Sequence, residues 1–172
     1  MVTSHIVNDV TVLNKEIDEV DLNILSFLQE NSRMPFTKIA EKVGVSDATI
    51  HLRVKKMEEL GLIEKYTVII NEEEIGKPVT IYVLIRVDPG TVEDVCRTLM
   101  ELEDVYEVCE IHERYDILIK IRGCNFDEVR DIIINKIRSI PDIVGSEAYT
   151  AYKTWKQDLG VRMETISPPS SS

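Results

Sequence analysis

The chain has 172 residues, 20 Lys+Arg against 31 Asp+Glu, and a formal net charge of −11. That length suits one ordinary domain or two small ones, and 44% hydrophobic with 30% charged residues excludes wholesale disorder. No apolar run approaches the roughly 18–20 residues of a membrane-spanning helix, so no membrane partner is expected, and residues 1–15 lack the basic start and apolar stretch of a secretion signal.

Three cysteines, Cys96, Cys109 and Cys124, lie 13 and 15 residues apart. Those spacings match no paired-cysteine metal pattern, and an odd number argues against a disulfide framework. A reduced, cytoplasmic chain without a metal is expected, with Cys109 and Cys124 as buried small hydrophobes. Taken as an average, −11 argues against a nucleic-acid partner, because a polyanion repels a polyanion. The distribution argues otherwise. Residues 1–32 carry −5 and residues 57–172 carry −10, whereas 33–56 carry six cations against two carboxylates, or +4.

Residues 1–16 are a moderately apolar extension, read either as an added strand or short helix or as a frayed terminus. A first helix is predicted over 18–31, with Asp18 as N-cap and Asp21 in the capping-box position. Leu22, Ile24, Leu25 and Leu28 supply its apolar face, and Pro35 stops helix at Met34. A short helix over 36–43 presents Ile39, Ala40 and Val43, and Gly44 follows it at the left-handed position. Ser46 then caps a third helix over 47–60, with Ile50, Val54 and Met57 facing inward and Gly61 closing it.

Ala40-x3-Gly44-x5-Ile50 is helix-turn-helix spacing: a small residue at the crossing, a turn glycine, and an anchor to the core. The remaining perimeter of the third helix includes Asp47, Thr49, His51, Leu52, Arg53, Lys55 and Lys56. Arg53 can clamp a phosphate or contact guanine bidentately, Thr49 and His51 suit base edges, and Ser46 with the free N–H groups at the helix start can receive a phosphate oxygen. Lys38 on the short helix belongs to the same surface. Lys65 and Tyr66 are candidate wing contacts to backbone phosphate.

From Ile63 the apolar period changes. Strands are predicted at 66–70, 79–87, 105–112, 116–122 and 144–155, with helices at 91–102 and 126–140. The last six of these elements read β-α-β-β-α-β, a ferredoxin-like arrangement with both helices on one face of an antiparallel sheet. The apolar strand 79–87 invites pairing with a second copy of the chain. Tyr152 and Trp155 are expected in a core or an interface. His112-Glu113-Arg114-Tyr115-Asp116 is the densest polar cluster and reads as a turn; no nucleophile or metal-ligand set is spaced with it, so no catalytic residue is assigned and no enzyme is expected.

These residues resemble the Lrp/AsnC family of feast/famine transcriptional regulators. The likeness runs through Ile17-Asp18, Asp21, Ile24-Leu25, Leu28, Asn31-Ser32-Arg33, Ile39-Ala40, Val43 to Ser46, Thr49-Ile50, Arg53 to Glu58, Gly61 to Ile63 and Tyr66. It covers about residues 17–155. Arg53 matches the family's characteristic recognition-helix arginine. The resemblance implies a winged helix-turn-helix joined by a strand linker to an effector-binding αβ sandwich, and dimers that assemble further, often into tetramers or octamers.

It also implies an amino-acid effector bound where dimers meet, beside the turn at 112–116. The family turn reads Thr-Gly-x-Tyr-Asp; here Tyr115 and Asp116 match, while His112 and Glu113 depart. A threonine common on the last strand is replaced by Ala148, with Ser146 two residues earlier. A glycine would let backbone N–H groups approach a carboxylate, whereas Glu113 adds bulk and negative charge. His112, Glu113, Arg114, Tyr115, Asp116, Ser146 and Ala148 are therefore the candidate effector residues, with altered effector chemistry or no effector both open.

The fold class is thus α+β, an N-terminal winged helix-turn-helix followed by a ferredoxin-like βαββαβ sandwich. The segments are an extension (1–16), the helix-turn-helix domain (17–63), a strand linker (64–78), the effector-binding and oligomerisation sandwich (79–157) and a tail (158–172) whose Ser/Pro-rich end is expected to be disordered. The function expected is a sequence-specific transcriptional regulator. It would bind double-stranded DNA at pseudo-palindromic promoter sites as a dimer or higher homo-oligomer. An amino acid or related metabolite is the candidate effector, and no other cofactor is expected. The alternative is an architectural, chromatin-like DNA-binding protein with weak sequence preference.

Overall fold

Asp18 begins the ordered part of the fold by capping the first helix. In the computed structural model, which describes residues 17–162, its carboxylate accepts the Asp21 N–H at 3.0 Å, and the Asp21 carboxylate accepts the Asp18 N–H at 3.1 Å. This reciprocal box satisfies two of the donors a helix start leaves free. It opens α1 (Glu19–Glu30), which buries Ile24 and Leu28. The extension at 1–16 and the end of the tail lie outside the described residues.

The next two helices are α2 (Phe36–Val43) and α3 (Asp47–Glu59). Gly44 ends α2 at φ +79° and donates its N–H to the Ala40 carbonyl at 2.8 Å, the left-handed stop that the glycine predicted. The Ser46 hydroxyl accepts the Thr49 N–H at 3.1 Å and caps α3. Ile24, Leu28, Ile39, Ala40, Ile50, Val54 and Met57 close into one buried cluster. The inward face of α3 is therefore the expected one.

The chain divides into two compact units. One runs to Val68 and takes in the chain from Asp158, and the other is Ile69–Gln157. In the first unit Val161 donates its N–H to Gln29 Oε1 at 2.6 Å, tying the tail's described part to α1.

The second unit comprises β1 (Val79–Val87), α4 (Val92–Met100), β2 (Val105–Glu110), β3 (Ile117–Gly123), α5 (Phe126–Asp131) and β4 (Ile143–Thr150). The sheet order is β2-β3-β1-β4, with every neighbouring pair antiparallel. Alternation assigns the faces. Ile81, Val83, Ile85 and Val87 of β1 and Ile117, Ile119 and Ile121 of β3 pack with Val95, Leu99, Val129, Ile133 and Ile137. Tyr82, Leu84 and Leu118 lie half-buried on the helix-free face.

Several expectations are corrected. β1 is a central strand, paired on both sides, so it offers no edge to a second copy; the edges are β2 and β4. The split connection places the first strand inside the sheet. Tyr66–Ile70 pairs with no strand, and Val68, Ile69 and Ile70 are exposed, so neither a paired wing nor a strand linker forms among the described residues. Its β-branched residues favour extension, but a strand needs a partner. β4 ends at Thr150 because its partner β1 ends; the final bond runs from Ala151 N–H to the Thr80 carbonyl. Tyr152 and Trp155 lie beyond it, exposed. The helix expected at 126–140 widens after Asp131 into a π-helical stretch, Ile132–Ile137, with Arg138 N–H bonding five residues back to Ile133. Cys124 is exposed and Cys109 only partly covered, because one follows the end of β3 and the other lies on an edge strand.

Candidate nucleic-acid interface and effector turn

Helix α3 presents Ala48, His51, Leu52, Lys55 and Lys56 to solvent, opposite its buried Ile50, Val54 and Met57. Lys38 on α2 and Lys65 after α3 are also exposed. Ser46 and Thr49 hydroxyls bond each other at 2.8 Å at the start of α3. Asp47 occupies the first turn, where a carboxylate complements the helix dipole, and its Oδ2 lies 3.8 Å from His51 Nε2. The His51 ring meets Phe36 edge-on, with centroids 4.7 Å apart. Lys55 reaches Glu59 at 3.7 Å across solvent, an ion pair of little energetic weight. A shallow groove of about 670 Å³ runs past Phe36, His51, Leu52, Lys55, Glu58 and Tyr66. The Tyr66 hydroxyl donates to Glu58 Oε1 at 3.1 Å; burial first, then Glu58, pushes the phenol pKa up.

Arg53 differs from the rest of this perimeter. Its Nη1 donates to both Asp18 oxygens and to Asp21 Oδ1, each at 2.8 Å. The Asp21 side chain is only 4% exposed. Asp21, then Asp18, raises the Arg53 pKa. At Asp18 partial desolvation pushes the carboxyl up, but the Asp21 N–H and the Arg53 guanidinium together hold it below its ordinary value. The guanidinium expected to reach a base or phosphate is therefore engaged within the helical unit, where it braces α3 against the start of α1. Sequence reasoning had assigned Asp18 and Asp21 to capping alone. The available signal was Asp21's position three residues before Ile24, on the apolar stripe of α1.

The turn at 112–116 joins β2 to β3. Glu113 lies at φ +114°, a backbone region that suits glycine and strains other residues. Asp116 is consumed by the fold: Oδ2 accepts the Val87 N–H at 2.9 Å, and its backbone bonds Ile85 and Ile111. Arg114 lies 5.4 Å from the Tyr115 ring centroid and pairs with Glu147 at 3.4 Å. Tyr149 donates to Glu147 Oε2 at 2.6 Å. The Tyr115 hydroxyl is buried beside Glu147 without reaching hydrogen-bond geometry. Tyr115 and Tyr149, with help from Arg114 and Arg86, hold the Glu147 carboxyl below its ordinary range.

Glu147 and Tyr149 were thus missed as members of this cluster. Ser146 and Ala148 alternate with them and lie on the other face of β4, opposite Ile85 and Val83; Ser146 accepts a bond from Arg138 Nε at 3.0 Å. The structure brings Arg114 and Tyr115 together with Glu147, and leaves His112 exposed and Ser146 and Ala148 apart. All three thiols have raised pKa values: Cys96 and Cys109 chiefly through burial, Cys124 chiefly through Glu128.

Residues 17–58 match the AsnC-type helix-turn-helix domain, and residues 80–161 match the Lrp/AsnC ligand binding domain. The chain belongs to the Lrp/AsnC family. It is 35% identical over 141 residues to the HTH-type transcriptional regulator FL11 of Pyrococcus abyssi (strain GE5 / Orsay), covering 82% of this chain and 93% of that one. AsnC of E. coli shares its structure at a TM-score of 0.77 and 28% identity, over 82% of this chain and 95% of that one. The transcriptional regulator NMB0573 of Neisseria meningitidis, solved as a complex with L-Met, shares the fold at a TM-score of 0.82 and 17% identity, over 88% and 99%. The protein is accordingly a helix-turn-helix, DNA-binding transcriptional regulator of this family, with a ligand-binding domain. Nothing favours the architectural alternative. Among the described residues no helix is long and apolar enough to cross a membrane.

Proposed function

We propose that the chain represses or activates promoters by placing α3 in the major groove of a pseudo-palindromic site, as a dimer or higher oligomer in the cytoplasm. The observation that carries this reading is the solvent-facing perimeter of α3, cationic at Lys55 and Lys56 and opposite a fully closed core. Ser46 and Thr49 sit at the helix start, where free N–H groups receive phosphate. His51, Leu52 and Asp47 face outward within the first two turns, the part of a recognition helix that meets base edges. Lys38, Lys55, Lys56 and Lys65 supply phosphate contacts, and Arg53 is a positioning residue that fixes the attitude of α3.

Two copies reading half-sites about 34 Å apart extend the few base pairs that one helix reads. Tyr82, Leu84 and Leu118, half-buried on the helix-free sheet face, give an apolar surface for that assembly. The turn cluster of Arg114, Tyr115 and Glu147 is the candidate effector position. An amino acid or related metabolite would act there by favouring one assembly state over another. Selection of bound duplexes from random DNA, with and without an amino-acid panel, tests the reading. Enrichment of a two-fold symmetric sequence is expected, and uniform recovery of all sequences would refute it.

A further inference from the structure

With Arg53 held by Asp18 and Asp21, the outward surface of α3 has little left that can form a bidentate bond to a base. Its character is partly apolar. Leu52 is 71% exposed, and among the described residues it is the one large apolar side chain of α1, α2 or α3 left in solvent. Ala48, exposed one turn earlier, lies on the same side at i−4. Neither contributes to the core, which Ile50, Val54 and Met57 form from the opposite side. Lys55 and Lys56 stand in the following turn, and Lys38 on α2 adds a further exposed cation. An apolar pair amid cations fits a polyanion that presents methyl groups, and the thymine C5 methyl is that feature of the major groove. Asp47 and the His51 ring, itself set edge-on to Phe36, lie beside the pair on the same helix.

We infer that Leu52, with Ala48, reads thymine: the leucine seats against a C5 methyl in each half-site and sets a preference for T there. This rests on α3 being the recognition helix and goes beyond it by naming the base and the atom.

The test uses the full-length protein and a duplex selected from random DNA. Each thymine is replaced in turn by deoxyuridine, which removes only the methyl. Wild-type protein is expected to lose about three- to five-fold in affinity at one or two positions per half-site, in line with the transfer free energy of one methyl-sized group. In Leu52→Ala the same replacements should change affinity by less than about half of that factor. Leu52→Gln, which can bond adenine bidentately, should shift the selected base at those positions. Thermal melting checks that each variant stays folded, as an exposed site allows. An unchanged uracil penalty in Leu52→Ala, or no thymine whose methyl matters, would overturn the assignment, including the outcome in which Leu52 serves a protein partner instead. Failure to enrich any sequence would overturn the DNA-reading role of α3 itself, a separate result.

Discussion

Arg53 on α3 and Asp21 on α1 are joined at 2.8 Å, and Asp21 is almost completely buried. The pair connects the recognition helix to the first helix by way of a charge that cannot be rehydrated. Asp18 shares the same guanidinium while capping α1, so one arginine links the cap, the core and the reading helix. Removing a single partner of such a pair leaves the other charge buried and alone.

Arg53→Ala is therefore expected to lower stability by about 1–3 kcal/mol, the lower range reflecting the partial exposure of Arg53 and Asp18. Urea denaturation of the variant measures it. Arg53→Lys should recover part of the loss, since one ammonium cannot reproduce the fork. Unchanged stability with reduced DNA affinity would instead return Arg53 to a direct contact.

Asp18 gives a pH signature. Its folded pKa is lowered from 3.8, so its contribution is fully present above that value and is lost as pH falls through the lower folded value. The wild-type urea midpoint should exceed that of Asp18→Asn at neutral pH, and the gap should narrow below about pH 4. A gap that persists at pH 2 would contradict this.

Glu113 occupies a strained backbone position at φ +114°. Glu113→Gly is expected to raise stability by about 1 kcal/mol by relieving that strain, measured as a higher melting temperature. It also exposes the turn N–H groups to an approaching carboxylate. Isothermal titration should show that α-amino acids bind the variant more tightly than they bind the parent. A lower melting temperature would show that the Glu113 side chain contributes more than its backbone costs.

Gly44 offers a control for conformational strain. A Cβ added there meets nothing within 4 Å, yet φ is +79°. Gly44→Ala should cost about 1 kcal/mol through backbone strain alone, with the helix-turn-helix packing intact. A much larger loss in thermal melting would point to a steric role that the open space denies.

Local signals made much of this legible. The Asp18 and Ser46 caps, the Gly44 stop and the alternating apolar residues of Val79–Val87 each act within a few residues, and each appears as read. What escaped depends on partners distant in sequence. Arg53 lies 32 residues from Asp21, so its engagement follows from how α1 and α3 pack. Tyr66–Ile70 has strand composition but no neighbour to pair with, and β4 stops where β1 stops. Ser146 and Ala148 were grouped with the turn by sequence likeness, whereas the register turns Glu147 and Tyr149 to the face that Arg114 reaches.

The central claim is that the exposed cations of α3 meet DNA phosphate. The salt dependence of affinity for a selected duplex tests it most directly, comparing wild type with Lys55→Gln/Lys56→Gln. Each lost phosphate contact should reduce the slope of log K against log salt by about 1 and weaken binding across all sequences. The account predicts a slope smaller by about 2 in the double variant with its fold intact. An unchanged slope and affinity would contradict it.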